Sequence, residues 1–328
     1  MMNKAWLGID VSKNKFDVAV AWSGRQRAKV FANTAAGWGQ LCAWLTDLGI
    51  DQVHACLEAT GRYGEGVALA LHEAGHRVSL INPAQIKYFA RTKLGRNKTD
   101  KLDAALIRDY GQLFEPALWR PPSAAQRQLR DLVRVRQSLQ AALTEWRNRR
   151  GSGALVEAAD QAIAGVIEHL EQKLDALNLT IEQTIAGDPE LRAQHRLLMS
   201  VPGIATRTAA TLLVELPAPG VLNSARETAA YAGLNPCQNQ SGSSLHRPAR
   251  ISRIGNAAMR TALYLPAITA MRHNPLVRAL RERLEAKGEL QPMQIVAAAM
   301  RKLLHLCFGV LKTRQPFDPA WPTTPTAA

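Results

Sequence analysis

The sequence has little cysteine. Its four cysteines lie far apart and form no Cys-x-x-Cys pair; they are Cys42, Cys56, Cys237 and Cys307. Two of them fall inside apolar segments, which favours buried free thiols in a reducing compartment over disulfides or a zinc site.

Targeting and membrane segments are also lacking. Lys4 is followed directly by an apolar segment that ends at Asp10, which is typical of a first strand and not of a signal peptide. We find no apolar run long enough to cross a bilayer. We therefore expect a cytoplasmic protein with no membrane partner.

Acidic residues are outnumbered by basic ones. The 328 residues include 41 Lys and Arg against 27 Asp and Glu, for a formal net charge of +14. Such an excess points to a polyanionic partner, most simply nucleic acid. Hydrophobic residues make up 47% of the chain, enough for two or three globular domains.

The first segment, residues 1–122, alternates predicted strands and helices. A hairpin spans residues 7–22 and a third strand residues 29–32; a helix at 37–48 precedes strands that end at Glu58 and Ile81. A further helix is predicted from Thr99 to Leu113. Antiparallel strands followed by alternating helices and parallel strands are typical of a ribonuclease-H-like α/β domain.

The rest of the chain is predicted to be helical. Residues 123–188 carry apolar residues at steps of three and four on two long helices, which fits an antiparallel hairpin within the chain or a coiled coil with another subunit. Residues 189–316 form a second helical region, and residues 317–328 a disordered tail rich in proline and threonine. The fold class is thus α/β plus α.

Four acidic residues mark the ends or starts of segments that otherwise favour burial. Asp10 and Glu58 each close an apolar strand, while Asp100 and Asp103 are three residues apart on one helical face. Buried carboxylates are costly unless paired or bound to metal. Helix capping explains one acid of the second pair but not all four. Together they form a ligand set suited to Mg²⁺ ions that assist phosphodiester chemistry.

Basic and polar residues give further candidates. The run around Asp100 is either a solvated surface or a contact for nucleic-acid phosphates; it contains Lys93, Arg96, Lys98 and Lys101. Val201-Pro202-Gly203-Ile204 resembles a helix-hairpin-helix, in which Gly203 lets backbone N–H groups approach a phosphate, or is a tight interhelical turn. A polar loop at residues 235–244 contains Ser241 beside a glycine. The arginines that follow it are Arg247, Arg250, Arg253 and Arg260.

One motif is interpreted as a decoy. His72-Glu73-Ala74-Gly75-His76 matches the zinc-protease pattern. Gly75 is predicted to end the helix, which removes His76 from it, and no third ligand follows. We expect a helix end and not a zinc site.

These motifs resemble those of one known family, the DEDD-type insertion-sequence transposases of the insertion-sequence one-ten family, which includes the Piv-type DNA invertases. The resemblance covers nearly the whole chain. In the first half it rests on residues 8–13, 58–61, 82–83 and 98–104; in the second half on residues 201–204, 231–236, 241–242 and 250–256.

The resemblance implies a recombinase that cuts and rejoins donor and target DNA, guided by a non-coding bridge RNA. Carried onto this chain, Asp10, Glu58, Asp100 and Asp103 bind Mg²⁺, and Ser241 forms a covalent phosphoserine link to DNA. Family members join the RuvC-like domain of one subunit to the serine domain of another, which implies a homo-oligomer: a dimer, or a tetramer in the synaptic complex.

Two alternatives remain open. A RuvC-like Holliday-junction nuclease would use the same carboxylates with water as the nucleophile. A non-enzymatic basic nucleic-acid-binding protein would use its acids structurally.

Overall fold

The computed structural model describes residues 5–59, 61, 63–92, 100–153, 156–217, 221–241, 245–252 and 254–320. By its internal contacts the chain divides into two compact units, Met1–Pro121 and Pro122–Ala328. The finer division into four segments stays a prediction.

The first unit is built on one five-stranded sheet. Its strands are β1 (Ala5–Val11), β2 (Lys15–Trp22), β3 (Arg25–Ala32), β4 (Val53–Glu58) and β5 (Arg77–Ile81). Their order is β3-β2-β1-β4-β5. The first three pair antiparallel, and β4 and β5 extend the sheet in parallel from β1. The predicted mixed α/β fold is confirmed.

Four helices accompany this sheet: α1 (Ala35–Asp47), α2 (Glu65–Glu73), α3 (Pro83–Thr92) and α4 (Asp100–Phe114). One face of the sheet packs against α1 and α2, and the other against α3 and α4. We did not predict α3. Asn82 accepts the Ala84 N–H at 2.9 Å, and Pro83, which suits a first helical position, starts the helix.

Two long antiparallel helices, α5 (Ala124–Gly151) and α6 (Glu157–Gly187), open the second unit. Ser123 caps α5 as predicted, in a capping box with Gln126. The predicted seam packs within the chain, where Leu143, Ile167 and Leu174 are buried together. The intrachain hairpin is therefore present, and a coiled coil with another subunit stays a prediction.

Among the described residues, six helices and a β-hairpin follow in this unit. They are α7 (Pro189–Met199), α8 (Thr206–Glu215), α9 (Ala225–Tyr231), β6 (Pro236–Ser241), β7 (Leu245–Ile251), α10 (Ala257–His273), α11 (Pro275–Lys287) and α12 (Pro292–Thr313). The predicted polar loop is wrong for residues 236–241, which form a strand paired with β7. We missed it because these residues lack the apolar alternation that marks a strand.

Helix α12 corrects the expectation about apolar runs. By length and composition alone it could cross a membrane, because its few charges do not break the apolar pattern. In this unit it is a core helix, with Leu303, Leu304 and Cys307 fully buried.

The start of the predicted tail is docked. The Phe317 N–H donates to Ser200 Oγ at 2.8 Å, and the Phe317 ring packs on the core of the second unit. The disorder predicted from residue 317 is therefore wrong at this position; residues 321–328 lie outside the described residues.

The cysteine prediction holds for the described thiols. Cys56 and Cys307 are buried, Cys42 is partly buried, and all three are free. Burial raises the pKa of both the Cys56 and the Cys307 thiol to about 12, so these thiols stay protonated at neutral pH.

Candidate functional site

Two of the predicted carboxylates lie on adjacent strands at one edge of the sheet. In the parallel pairing of β1 with β4, Ile9 is the partner of Leu57, and Asp10 and Glu58 occupy the next positions. Because side chains alternate along a strand, these two acids lie on the face opposite to Ile9 and Leu57. Ile9 and Leu57 point into the core under α1 and α2, so the acids lie on the face that carries α4.

Helix α4 packs closely on this face. A Cβ at Gly8 would overlap the carbonyl oxygen of Ala104, and a Cβ at Gly111 would lie 2.5 Å from Cys56 Sγ and 3.2 Å from the Trp6 ring. Trp6 of β1 contacts Gly111 of α4, whereas Gly8, further along β1, contacts Ala104, which comes earlier in α4. The helix therefore runs antiparallel to β1.

This direction brings the second acidic pair toward the first. The next residue of β1 on this face is Asp10, and the next residues toward the start of α4 are Asp103 and Asp100. The fold thus directs the first turn of α4 toward the strand ends that carry Asp10 and Glu58.

The side-chain arrangement of the four acids is not established by the described residues. Asp10, Glu58 and Asp103 are partly buried, whereas only the backbone of Asp100 is described. Among the described side chains, no three of His, Cys, Asp or Glu lie together as a metal site. The four-carboxylate set therefore stays a prediction, supported by topology.

A further acid on this face, Asp17, was missed by our sequence analysis. It lies on β2 directly opposite Asp10 in the antiparallel register, and only 4% of it is exposed. Lys15 Nζ lies 3.3 Å from its carboxylate. The signal in the sequence was an acid between Phe16 and Val18, in a strand that is otherwise apolar.

A buried arginine lies on the same face. Arg108 of α4, which packs against Gly8, is 7% exposed. Its Nε and Nη2 donate to Asp109 at 3.0 and 2.6 Å, and its Nη1 donates to Gln26 Oε1 at 3.2 Å. The Arg108 guanidinium is therefore held between the Asp109 carboxylate and the Gln26 side chain of β3.

Ser241 is the last residue of β6, where it pairs with Leu245 across the hairpin. The tip, residues 242–244, lies outside the described residues. The side chains of residues 237–250 are not described either, so the roles of Ser241, Arg247 and Arg250 stay predictions, and Arg253 lies outside the described residues.

Polar contacts hold the root of this hairpin. Asn256 Nδ2 donates to Glu215 Oε2 at 2.6 Å, and the Asn256 side chain also caps α10. The Ser252 N–H donates to the Asn235 carbonyl at 2.9 Å. Glu215 is itself 9% exposed, so the Asn256–Glu215 bond forms in a partly desolvated setting and joins the start of α10 to the end of α8. The Ser252–Asn235 bond closes the base of the hairpin.

Arg260 contributes to the same region. Its Nη1 donates to the Ala232 carbonyl at 2.8 Å and lies against Gly233. This hydrogen bond gives Arg260 a structural role. Its binding to nucleic acid stays a prediction.

Most of the predicted basic run cannot be placed. Lys93, Arg96 and Lys98 lie outside the described residues, and only the backbone of Lys101 is described. Nearby on α3, Tyr88 is 62% exposed and the Arg91 guanidinium lies 5.8 Å from its ring centre.

Gly203 lies in the turn between α7 and α8. Its φ is +105°, and a Cβ there would lie 2.7 Å from Ala270 Cβ and 3.0 Å from the Pro266 carbonyl oxygen. Positive φ and close packing on α10 therefore both require glycine. The binding of a phosphate at Gly203 stays a prediction.

The rejected zinc motif is a helix end, as predicted. Helix α2 ends at Glu73 and Gly75 has a φ of +84°. His76 lies beyond the helix, where its Nδ1 accepts the Val53 N–H at 3.4 Å. Burial lowers the pKa of His76.

Comparisons with known proteins match both units. A family model of the IS110 DEDD domain, described as a transposase, matches residues 7–158, and a model described as transposase of the IS116/IS110/IS902 family matches residues 195–282.

Relatives extend the match to nearly the full length. The pilin gene-inverting protein of Moraxella bovis is 34% identical over 320 residues, covering 97% of this chain and 98% of the relative. Its counterpart from Moraxella lacunata has the same identity and coverage. A 43.6 kDa protein of insertion element IS110 from Streptomyces coelicolor is 28% identical over 162 residues, covering 49% of this chain and 38% of that protein.

Proposed function

Because this chain belongs to the IS110 family of transposases and is a DNA recombinase, we propose that it cuts and rejoins donor and target DNA under the guidance of a non-coding bridge RNA. The observation that carries the proposal is the convergence of strand ends and helix start on one face of the first unit. There Asp10, Glu58 and the first turn of α4 share one edge of the sheet.

The residues at this edge fit a magnesium site. Transposase domains of the DEDD type are commonly metal-dependent, and the donors here are carboxylate oxygens, which hard divalent cations prefer. Asp10, Glu58, Asp100 and Asp103 would hold the ions. When bound, Mg²⁺ stabilises negative charge that develops on the reacting phosphate.

Ser241 is the proposed nucleophile. Its hydroxyl loses a proton as its oxygen forms a bond to the scissile phosphorus, and the bond from phosphorus to a deoxyribose oxygen breaks. The departing oxygen takes up a proton, so the step neither consumes nor releases one overall. The phosphoserine link replaces one phosphodiester bond by another. Rejoining therefore needs no ATP. The bond from the Ser252 N–H to the Asn235 carbonyl closes the base of the hairpin that carries Ser241.

Sequence choice is assigned to base pairing with the RNA. The net charge of +14 suits a protein that holds two kinds of nucleic acid through their backbones, while pairing selects the DNA. We further propose that the active form is a homo-oligomer, a dimer or a tetramer, that brings donor and target together.

A covalent-trapping assay tests the chemistry. The protein is incubated with element-derived RNA, Mg²⁺ and end-labelled junction DNA, and then run on a denaturing protein gel. We expect a labelled adduct with the wild type and with the control Ser252→Ala, which removes a hydroxyl near the hairpin root. We expect none with Ser241→Ala or Asp10→Ala.

Two results would contradict the proposal. DNA cleavage that survives Ser241→Ala without any adduct identifies a nuclease that uses water. Nucleic-acid binding without cleavage, unchanged by Asp10→Ala, identifies a binding protein.

A further inference from the structure

The second unit contains a cleft that the reaction above does not use. Its volume is about 900 Å³, and it is enclosed by α5, α6, α8 and α10. Alanine, leucine, isoleucine and proline side chains form much of its wall. The polar and charged residues among those that line it include Arg136, Asn178, Glu182, Thr206 and Arg207.

Two arginines from distant parts of the sequence meet there. Arg136 of α5 donates through Nε to Asn178 Oδ1 at 2.7 Å, which fixes the plane of the guanidinium and leaves its terminal nitrogens available. Burial, together with the nearby Arg207 charge, lowers the pKa of Arg136. Two like charges thus line one cleft, with Arg136 partly buried and Arg207 exposed, which is unfavourable unless an anion joins them.

The carboxylates that the structure describes do not neutralise this pair directly. Within the described part of the chain, neither Arg136 nor Arg207 has a carboxylate oxygen within ion-pair distance. Glu182 lines the cleft and offsets part of the charge, so the three side chains together leave one net positive charge.

The start of α8 faces the same cleft. Residue Ala205 precedes the helix and offers no side-chain acceptor to its first N–H groups, and Ala205, Thr206 and Arg207 all line the cleft. The positive end of a helix dipole adds to the attraction for an anion. The start of α8 therefore adds to the positive potential that the two arginines present to an anion.

We propose that this cleft binds a phosphodiester group of a nucleic-acid strand, with Arg136 and Arg207 donating to its oxygens. Guanidinium groups match phosphate geometry by paired hydrogen bonds, and a phosphate between the two arginines converts their repulsion into attraction. The inference rests on the proposed function only in taking DNA or RNA as the ligand. The two arginines contact the phosphate, while Gly203 shapes the turn.

Salt-dependent binding tests the cleft without any catalysis. Affinities of a Ser241→Ala background for a labelled DNA duplex and for a labelled single-stranded RNA are measured from about 50 to about 200 mM salt. Arg207→Gln should lower the slope of log K against log salt by about 0.9 on the duplex or by about 0.7 on the single strand. The control is Arg192→Gln, which removes an exposed arginine of α7 that does not line the cleft.

The two probes distinguish the source of the phosphate. A reduced slope on DNA alone assigns the cleft to DNA, and a reduced slope on RNA alone assigns it to the guide. Arg136→Lys, which keeps the charge but loses the Asn178 contact, should weaken binding several-fold with little change in slope. Equal slopes for wild type and Arg207→Gln on both probes, or equal losses for Arg207→Gln and Arg192→Gln, would overturn the inference.

Because the assay needs no adduct, its outcome is independent of the trapping experiment. A failed adduct with an intact slope effect would contradict the serine mechanism and leave the cleft in place.

Discussion

The two units position their proposed functional residues by different means. In the first, Asp10 and Glu58 lie at neighbouring strand ends, and α4 is held against the sheet by a contact with no room for a side chain at Gly8. In the second, Ser241 ends one strand of a hairpin whose base is closed by the bond from the Ser252 N–H to the Asn235 carbonyl.

The difference indicates how each part tolerates change. Packing between sheet and helix sets the positions of the acids, so substitutions in the core of the first unit should act on the carboxylate edge. The serine depends on a few polar contacts at the hairpin root and on the helical core below it. Substitutions can therefore perturb one part of the reaction at a time.

The largest expected effect concerns the helical hairpin of the second unit. Leu143 is 3% exposed in the seam of α5 and α6, and Leu143→Ala should lower the free energy of unfolding by about 2–5 kcal/mol through loss of buried surface and a cavity. The control is Asp160→Asn, which breaks the solvent-exposed ion pair with Arg150 and should leave the urea midpoint unchanged. Equal losses for both would show that charges hold the hairpin.

The next effect concerns the contact of helix with sheet. Gly8→Ala places a methyl group against the Ala104 carbonyl and should cost about 1–3 kcal/mol of stability, because neither backbone can yield. It should also abolish adduct formation by displacing α4. Gly39→Ala, in an exposed and open position of α1, should instead stabilise by about 0.5–1 kcal/mol. Urea unfolding and the trapping gel measure both; full activity of Gly8→Ala would refute the packing argument.

The smallest effect is a loss of stability in acid. Burial, with the nearby charges of Arg301, Lys302 and Arg226, lowers the pKa of His305 to about 4. The unfolded chain takes up this proton near pH ~6.5 and the folded chain only near pH 4, so stability falls as pH drops between these values. After allowance for solvent screening, the loss by pH ~4.5 should be about 1–2 kcal/mol.

Urea unfolding at several pH values measures this loss. His305→Gln should flatten the acid limb, whereas His273→Gln, at an exposed position of α10, should not. Identical pH profiles for the wild type and His305→Gln would contradict the assignment.

Sequence patterns predicted the sheet well. Apolar strands that end in an acid identified Asp10 and Glu58, because strand ends in a mixed sheet meet at one edge. Asp17 was not predicted because it lies within a strand. Only the antiparallel register, which places Asp17 opposite Asp10, shows that the two acids are neighbours. Helix α3 was not predicted because Asn82-Pro83 was interpreted only as the end of a strand.

The second unit was harder to predict. Its β-hairpin combines a mostly polar strand, β6, with a strand β7 whose apolar residues do not alternate, so apolar alternation carries no signal for it. Arg136 and Arg207 are distant in sequence, and only the packing of α5 against α8 brings them to one cleft. Local patterns cannot reveal a site formed by tertiary contacts alone.

Mapping the covalent link tests the central claim most directly, that the acids of the first unit and the serine of the second serve one reaction. The trapped adduct is digested with protease and nuclease, and the peptide that carries a nucleotide is identified by mass spectrometry, for the wild type and for Asp10→Ala. We predict a single modified peptide with the nucleotide on Ser241, absent from Asp10→Ala. A nucleotide on another residue, or on Ser241 at equal yield without Asp10, would contradict the account.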